Sequence, residues 1–450
     1  MASWRRLCTA LCALLLTSRA HAAVQGVFAH YMVGGMSSID QALADVSQAQ
    51  ALGLDAFALN VQQPDASWTR VALALLFDAA AQKGFKLFFS MDMATIPSPS
   101  ACQPLYSFYA SHEGYYTYNS RPFLSTFRGG ANPDLAQQWS SFTPKPHFIP
   151  NFEDHQSVKD SNGVYPPLIF TTFPSLDGIM AWETAWPFPD SPTNLNHTAL
   201  DSANLATAHQ ANKQFLLPVS PFQSKHHPQW GNWYRRGALN LADGMLSALA
   251  VQPDFVEILT WNDAGEGHYF GNLWPESMPG EEMKAVVDGW DHKGWGAVYK
   301  PFVRALKKGV RGAEGVVPVG DGGKGFQGAF WYRPLLKGTE CGSDQFGLGK
   351  PMGWDKAEDT VNVVIMLGEK TVGNRVKIRV SSGGSVAGEF DGKTGMNVHQ
   401  VEARKGEQMV QVVAESGTVL AESKGKVWVT DNIGDIGGIC NFNYQVVEIA

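Results

Sequence analysis

This sequence of 450 residues contains little charge and little cysteine. Charged residues make up 17% of the chain, and there are only five cysteines. Beyond the N-terminal segment, no apolar run approaches the roughly 20 residues that a membrane-spanning helix needs. The three cysteines after that segment are too widely spaced for a zinc site. The hydrophobic content, 44%, is high enough to bury a large core and excludes general disorder.

The first 22 residues have the pattern of a secretory signal. Arg5 and Arg6 precede an apolar stretch of about ten residues, and Ala20-His21-Ala22 follows further along. This order predicts cleavage after Ala22. A membrane anchor is the alternative, but the apolar stretch is too short to cross a bilayer. We therefore expect the protein in the extracellular space or on the cell wall, with no membrane partner.

The charge balance bears on the partners of the mature chain. The formal net charge is −7, and the signal segment carries three arginines and no acid, which leaves −10 on the remainder. An acidic surface repels phosphate backbones, so we expect no nucleic-acid partner. A neutral polysaccharide meets no such barrier. We expect the chain to act as a monomer.

Three cysteines remain after the signal, and an odd number in a secreted protein predicts one disulfide and one free thiol. Cys341 and Cys440 both lie in the C-terminal region, so we pair them and leave Cys102 free. The tripeptide Asn196-His197-Thr198 predicts N-glycosylation at Asn196.

Apolar, β-rich runs alternate with segments of helical periodicity over the first two thirds of the chain. Helices are predicted at 37–53, 69–84 and 239–250. Such alternation favours a parallel sheet buried on both faces, and eight units favour a (β/α)₈ TIM barrel over 23–312. An open doubly wound sheet is the alternative, but its glycine-rich phosphate turn is represented only by Gly34-Gly35. The predicted strands are 24–32, 54–61, 85–92, 122–127, 147–153, 177–183, 214–220 and 255–263.

The pattern changes after the barrel region. Residues 313–450 are rich in Gly, Val, Thr and Ser, with alternating strand-like runs and turn signals between them. This pattern predicts an antiparallel, β-sandwich-like C-terminal domain. The predicted strands are 361–368, 374–382, 407–415, 427–432 and 444–450.

Polar side chains collect where the predicted barrel strands end, which is where such barrels build their active sites. Asp55 and Asp177 precede their strands, at the opposite end, and are expected to be structural. A polar loop is the alternative for any single strand-end residue. The strand-end residues are His30, Tyr31, Asn60, Asp92, Glu153, Asp154, Glu183, Ser220, Asp263 and Glu266.

The stretch TWNDAGEGHY, residues 260–269, carries the strongest chemical signal. Asp263 and Glu266 stand three residues apart, between the rings of Trp261 and Tyr269. Hydrolysis of a glycosidic bond needs two carboxyl groups, one protonated and one ionised. Apolar neighbours and mutual repulsion separate the pKa values of such a pair. The alternative is that these acids cap a helix or fix a loop.

Other catalytic classes find less support. The adjacent His226 and His227 point in different directions and have no acidic cluster beside them, so substrate contact or a plain loop is favoured over a metal site. The serine-hydrolase elbow and the zinc-peptidase helix motif are both missing from the sequence. We predict no metal site.

Several blocks, in order along the chain, resemble glycoside hydrolase family 71, the fungal endo-1,3-α-glucanases or mutanases. The resemblance implies a (β/α)₈ barrel with an appended β-domain, and inverting hydrolysis of α-1,3-glucan without a cofactor. The matching blocks are FAHYMVGG (28–35), LDAFALN (54–60), GFKLFFSMDM (84–93), FLSTFRG (123–129), VSPF (219–222), WNDAGEGHY (261–269) and DGW (288–290).

The resemblance also implies roles for individual residues. The acidic pair of the family falls on Asp263, as the base that activates water, and on Glu266, as the general acid. Inversion implies carboxyl groups roughly 6.5–9.5 Å apart. Gly267 and Phe222 depart from the family pattern, which leaves subsite preference open. The expected sugar-binding residues are His30, Tyr31, Asn60, Asp92, Trp182, Glu183, Trp261, His268 and Tyr269.

Two other functions stay open at this point. One is a carbohydrate-binding protein on the same scaffold that has no turnover. The other is a glycosidase that acts on a different α-glucan linkage.

Overall fold

The computed structural model describes residues 24–450, except 162, 188–195, 279, 321 and 374. The predicted signal segment, 1–22, lies outside the described residues. Within them, helices of a length and apolarity suited to crossing a bilayer are missing.

The first part of the chain forms a curled sheet of nine strands. All pairings in it are parallel except that of β4 with β5. The strands are β1 (Gly26–Met32), β2 (Ala56–Val61), β3 (Lys86–Asp92), β4 (Thr117–Tyr118), β5 (Arg121–Phe127), β6 (His147–Phe148), β7 (Gly178–Met180), β8 (Gln214–Val219) and β11 (Phe255–Ile258).

The strand order shows how this sheet curls. It runs β4-β5-β3-β2-β1-β11-β8-β7, with β6 paired to β5. The last strand, β11, lies beside the first, β1. The open doubly wound alternative does not fit this order, because in that fold the last strand lies at an edge of the sheet and not beside the first strand. The NH groups of Asp177 and Met180 donate to the carbonyls of Phe148 and Pro150, at 2.8 and 3.0 Å, and so link the β6 and β7 segments.

The sequence explains the burial of this sheet. Strand β2, AFALNV, is buried along its whole length, as expected for a strand covered on both faces. Helix α1 starts with a capping box at Ser38 and Gln41 and ends at Gly53 in the left-handed conformation. The helices are α1 (Ile39–Leu52), α2 (Ser67–Lys83), α3 (Pro99–Tyr109), α4 (Ala136–Ser140), α5 (Gln156–Lys159), α6 (Leu168–Thr172), α7 (His197–Gln210), α8 (Asn240–Val251), α9 (Glu281–Val287), α10 (Gly296–Lys307) and α11 (Glu369–Gly373).

Two acids lie at the amino ends of the strands. Asp55 accepts from the NH of Val27 at 2.9 Å and pairs with Lys307 at 2.6 Å. Asp177 pairs with Arg121 at 2.7 Å and accepts from the NH of Phe148 at 3.0 Å. Both carboxylates join neighbouring elements, which agrees with the structural role expected for them.

Two antiparallel sheets of four strands follow, in the orders β16-β13-β12-β19 and β15-β14-β17-β18. Side chains from both, such as Val363 and Val412, share one apolar cluster. The strand predicted at 427–432 is wrong, because only Val429 and Thr430 make isolated bridges there. Strands β12, β15, β16 and β18 had no predicted counterpart. The strands are β12 (Phe326–Tyr332), β13 (Thr360–Leu367), β14 (Lys377–Ser382), β15 (Ser385–Asp391), β16 (Gly395–Glu402), β17 (Gln408–Val413), β18 (Val419–Lys424) and β19 (Gln445–Ile449).

A two-stranded ribbon, β9 (Gln223–His227) and β10 (Gly231–Arg235), follows β8 and is fixed by the C-terminal region. The hydroxyls of Tyr234 and Tyr444 lie 2.8 Å apart, and Nε2 of His226 lies 2.6 Å from Oδ2 of Asp344. A disulfide joins Cys341 to Cys440, and the Cys440 NH donates to Asp344 at 3.0 Å. The thiol of Cys102 is free and buried.

Candidate active site

The two acids of the WNDAGEG stretch lie on one short turn directly after β11. Asp263 caps a 3₁₀ turn over Ala264–Glu266, and its Oδ1 accepts from the NH of Glu266 at 2.9 Å. Gly267 ends the turn with φ 71°, a conformation that favours glycine. A Cβ on Gly267 would also lie 3.0 Å from the Ser224 hydroxyl, so glycine lets the ribbon approach the turn.

His268 lies behind the pair and contacts both acids. Its Nε2 is 3.5 Å from Oδ2 of Asp263 and 3.7 Å from Oε2 of Glu266. The imidazole is fully buried, and Trp186 packs edge-on against it with ring centres 5.3 Å apart. One ring from the protein interior therefore positions both carboxylates, whose side chains are 15% and 25% exposed.

The electrostatics of the pair favour an ionised Asp263. Burial raises the pKa of Asp263, but the contact with His268 and the charges of His268 and Lys225 lower it more, and the Glu266 NH adds to this. The net pKa lies below the ordinary aspartate value. Asp263 is therefore a carboxylate near neutral pH, as a group that accepts a proton must be.

The ribbon supplies two further contacts to Glu266. Lys225 Nζ lies 2.9 Å from Oε1 of Glu266, and the side-chain amide of Gln223 donates to Oε2. Burial lowers the pKa of Lys225, but the charges of Glu266 and Asp263 raise it more, so Lys225 stays positively charged. Glu266 is thus held from one side by the ribbon and from the other by His268.

The spacing of the acids is shorter than expected. Oxygen atoms of Asp263 and Glu266, together with a His268 nitrogen, lie within 4.8 Å of one another. Inverting glycosidases keep their carboxyl groups roughly 6.5–9.5 Å apart. The i, i+3 spacing on a 3₁₀ turn explains the difference, because such a turn is more compact than the extended turn that the sequence suggested.

The same three side chains are the kind of donor set that can bind a divalent cation. Here the ammonium of Lys225 already lies 2.9 Å from Glu266. A fixed positive charge at this distance repels a divalent cation. The arrangement therefore suits proton transfer better than metal binding.

Six of the predicted sugar-binding residues form one continuous group next to the pair. Trp182 packs edge-on against His30, with ring centres 4.8 Å apart, and lies 6.4 Å from His268. Asp92 is close to His30 and is hydrogen-bonded to Asn60; burial raises the pKa of Asp92 more than these neighbours lower it. Glu183 follows Trp182 on the same 3₁₀ turn, Trp182–Ala185, and pairs with Arg235 of β10.

Three of the predicted sugar-binding rings have other partners in the structure. Tyr31 and Trp261 donate to the carboxylate of Asp45, at 2.8 and 3.0 Å. Tyr269 stacks on His292 and donates to a backbone carbonyl. All three rings are at most 2% exposed, and their polar atoms are taken by Asp45 or by a backbone carbonyl.

Asn196, the predicted glycosylation site, is exposed at the start of α7, where its side-chain oxygen accepts from the NH of Ala199 at 3.1 Å. The amide nitrogen, which would carry a glycan, is not needed for this cap. The position is therefore compatible with the prediction.

A second pair of acids borders the site. The side chain of Glu153 accepts from the Asn151 amide at 2.6 Å and from the Glu183 NH at 2.9 Å. Its other oxygen is buried without a hydrogen-bond partner. Burial first, and the charge of Glu183 second, raise the pKa of Glu153 to about 8. Glu153 is therefore a neutral acid at neutral pH.

Sequence reasoning left several site residues unassigned. Gln223, Lys225 and Arg235 lie on a ribbon whose polar alternation resembles that of an exposed hairpin. Glu257 interrupts the apolar run FVEIL, which is a detectable signal, and its carboxylate lies 2.7 Å from Nδ1 of His30. Burial of an unpaired charge is costly. An acid inside a buried strand is therefore expected to face a polar partner in the interior of the site.

Comparison with solved structures finds the GH99 endo-alpha-mannosidase from Bacteroides thetaiotaomicron. The TM-score is 0.49 at 12% sequence identity, and the match covers 64% of this chain and 99% of that one. A GH30 endoxylanase from Clostridium papyrosolvens matches with a TM-score of 0.39 at 9% identity, over 85% of this chain and 95% of that one.

Comparison with characterised sequences finds fungal relatives along almost the whole chain. The glucan endo-1,3-alpha-glucosidase agn1 of Schizosaccharomyces pombe is 29% identical, over 93% of this chain and 93% of its own length. The mutanase Pc12g07500 of Penicillium rubens is 30% identical, over 89% of this chain and 84% of its own length. The ascus wall endo-1,3-alpha-glucanase of S. pombe is 25% identical, over 95% and 98%. Residues 23–450 match the profile described as Glycosyl hydrolase family 71, and the chain belongs to that family.

Proposed function

We propose that this protein hydrolyses α-1,3-glucosidic bonds of α-1,3-glucan, with Asp263 and Glu266 as the catalytic acids. The observation that carries the proposal is the pair itself, held on one turn and contacted by a single buried histidine. The α-1,3 linkage of the substrate is inferred from the relatives, which are named as endo-1,3-alpha-glucanases and mutanase. No cofactor enters the reaction.

Asp263 acts as the base, because its lowered pKa keeps it ionised. It takes a proton from water as the water oxygen bonds to the anomeric carbon. Glu266 gives its proton to the glycosidic oxygen as the bond from that oxygen to the anomeric carbon breaks. Inversion requires carboxyl groups roughly 6.5–9.5 Å apart, which is a larger gap than the one between the closest oxygen atoms of these acids in the structure.

The residues beside the pair bind the sugar in this proposal. His30, Asn60 and Asp92 present buried polar groups from the ends of β1, β2 and β3. The Trp182 ring lies between them and His268, and Glu183 reaches the same cleft. Polar groups fixed by the barrel orient the hydroxyls of the sugar, and the indole packs on its ring.

We also propose the finer architecture. The parallel strands β1, β2, β3, β5, β6, β7, β8 and β11 form a complete (β/α)₈ barrel, and hydrogen bonds between the β6 and β7 segments support closure. Residues 23–312 are the catalytic domain, and 313–450 form a sandwich-like domain. The signal-like N-terminus and the disulfide support secretion.

The test uses the full-length protein and the variants Asp263→Asn and Glu266→Gln. The wild type is expected to release reducing sugar from α-1,3-glucan but not from α-1,4- or β-1,3-glucan. Each variant is expected to lose at least about 100-fold in rate, the usual size of general acid–base catalysis. Asp65→Asn, at a side chain 89% exposed, is the matched control and should keep wild-type activity.

The outcomes separate the alternatives. Equal activity of wild type and both variants would refute the assignment of the acids. Binding of glucan by an inactive wild type would favour a carbohydrate-binding protein. Release of reducing sugar from another α-glucan would show that the enzyme cleaves a different linkage. Proton NMR of the first product decides the stereochemistry: the β-anomer denotes inversion and the α-anomer retention.

A further inference from the structure

The β9–β10 ribbon has two chemically different faces. Opposite residues of an antiparallel pair point to the same side, and the register pairs Gln223 with Arg235 and Lys225 with Trp233. On this face Gln223 and Lys225 contact Glu266, and Arg235 contacts Glu183. We call it the inner face of the ribbon.

The opposite face is occupied by the C-terminal region. His226 and Tyr234 bind Asp344 and Tyr444 there. The ribbon is therefore anchored from behind, and its inner face keeps a fixed position relative to the catalytic acids.

The inner face ends in an exposed aromatic platform. Trp230, at the turn between the strands, stacks flat on His227, with ring centres 3.9 Å apart and planes 9° apart. The NH groups of Gln229 and Trp230 donate to Nδ1 of His227, which holds the turn and the ring together. Half of the Trp230 surface, 50%, is nevertheless exposed.

Neighbouring residues extend this apolar surface. Met352, which is 60% exposed, pairs with Trp233 in a parallel bridge beside β10. Trp354 follows it and lies under the ammonium of Lys350, 4.1 Å from the ring centre. Exposed apolar side chains grouped next to a cleft usually mark a binding surface.

The inner face runs from the acids to this platform without interruption. Gln223 contacts Glu266, and His227 lies four residue steps further along the strand, a distance of about 13 Å. The ring of Trp233 lies between the charges of Lys225 and Arg235, at 5.8 and 5.6 Å. The inner face therefore connects the turn that carries the two acids with the Trp230 ring.

We propose that the Trp230–His227 platform is an additional carbohydrate-binding site, which takes glucose units of the α-1,3-glucan chain outside the bond that is cleaved. The inference rests on the proposed function, since that function supplies the polymer. An exposed indole fixed by stacking suits the flat C–H face of a pyranose ring and loses little entropy on binding. The site makes the enzyme prefer long or insoluble chains over short ones.

The test compares full-length Trp230→Ala with Trp428→Ala, which removes an indole 63% exposed in the C-terminal region. Sedimentation with insoluble α-1,3-glucan measures binding, and reducing-sugar release is followed on that polymer and on a soluble α-1,3-linked trisaccharide. Trp230→Ala is expected to bind the polymer roughly tenfold more weakly, as for one aromatic anchor. Its rate should fall more on the polymer than on the trisaccharide. Trp428→Ala should match the wild type in each measurement.

Two outcomes would overturn the inference: unchanged sedimentation of Trp230→Ala, or an equal fall of its rate on polymer and trisaccharide. Trp230→Phe, which keeps a ring, should recover part of the binding if the platform is correct. A wild type that hydrolyses neither substrate would refute the proposed function instead. The sedimentation of Trp230→Ala against Trp428→Ala would still decide the binding site.

Discussion

Replacing Glu153 by glutamine should change how the stability of the protein depends on pH. The carboxyl group of Glu153 is buried, one oxygen accepts from Asn151 and the Glu183 NH, and the other has no partner. Burial and the neighbouring Glu183 raise its pKa from 4.5 to about 8. Glutamine has nearly the same shape and stays neutral at every pH.

The direction in which the stability changes with pH follows from proton binding. Between pH 4.5 and 8 the folded protein holds a proton on Glu153 that the unfolded chain has lost, so stability falls as pH rises through this range. The contribution is fully present below the unfolded pKa and is lost as pH passes the folded pKa. For the pKa values given above, the loss from pH 4.5 to 7 is about 3 kcal/mol.

Urea unfolding of wild type and Glu153→Gln at several pH values measures this loss. The variant should gain about 3 kcal/mol relative to the wild type between pH 4.5 and 7, because all other titrating groups are common to both proteins. Glu281→Gln is the control, since its side chain is 86% exposed and its difference from wild type should not vary with pH. A constant difference between Glu153→Gln and wild type would refute a neutral, buried Glu153.

Two further predictions concern the framework around the site. Asp45→Ala removes a buried carboxylate that accepts from Tyr31 and Trp261, and unsatisfied donors should lower the free energy of unfolding by about 3 kcal/mol. Asp45→Asn, which keeps an acceptor, should lose less in the same urea titration, and equal losses would contradict this. Reduction of the Cys341–Cys440 disulfide, which spans 99 residues, should lower stability by about 2–5 kcal/mol. The Cys341→Ser/Cys440→Ser variant should then unfold at the same temperature with and without reductant, and a reductant effect on it would point to another cause.

The local sequence indicated most strands of the curled sheet, three of the helices, and the turn that carries the two acids. Runs such as LDAFALNV form strands because burial on both faces needs apolar residues throughout, and helical periodicity marks α1 and α2. The acids Asp263 and Glu266 could be found because their chemistry and spacing lie within ten residues. Seven other helices that the structure describes before the C-terminal sheets were not predicted, namely α3 to α7, α9 and α10. Of these, α4, α5, α6 and α9 are short, and α3 and α10 contain a proline.

The C-terminal sheets were predicted less completely. Strands β15 and β18 are largely exposed, so they carry little apolar alternation to detect. The run at 427–432 has strand-like residues, yet it forms β-bridges only at Val429 and Thr430. Pairing with distant segments decides such cases, and that information is not local.

By itself, the sequence determined which chemical groups are present and which segments become buried, because composition and periodicity are properties of neighbouring residues. Only the tertiary structure decided which groups meet. It placed Lys225 beside Glu266, and His268 behind both acids. It also placed Glu183 beside Glu153. Tyr31 and Trp261 donate hydrogen bonds to Asp45. The side of a strand that faces the cleft depends on how the sheet curls, and charge pairs across the site depend on contacts between segments far apart in the chain.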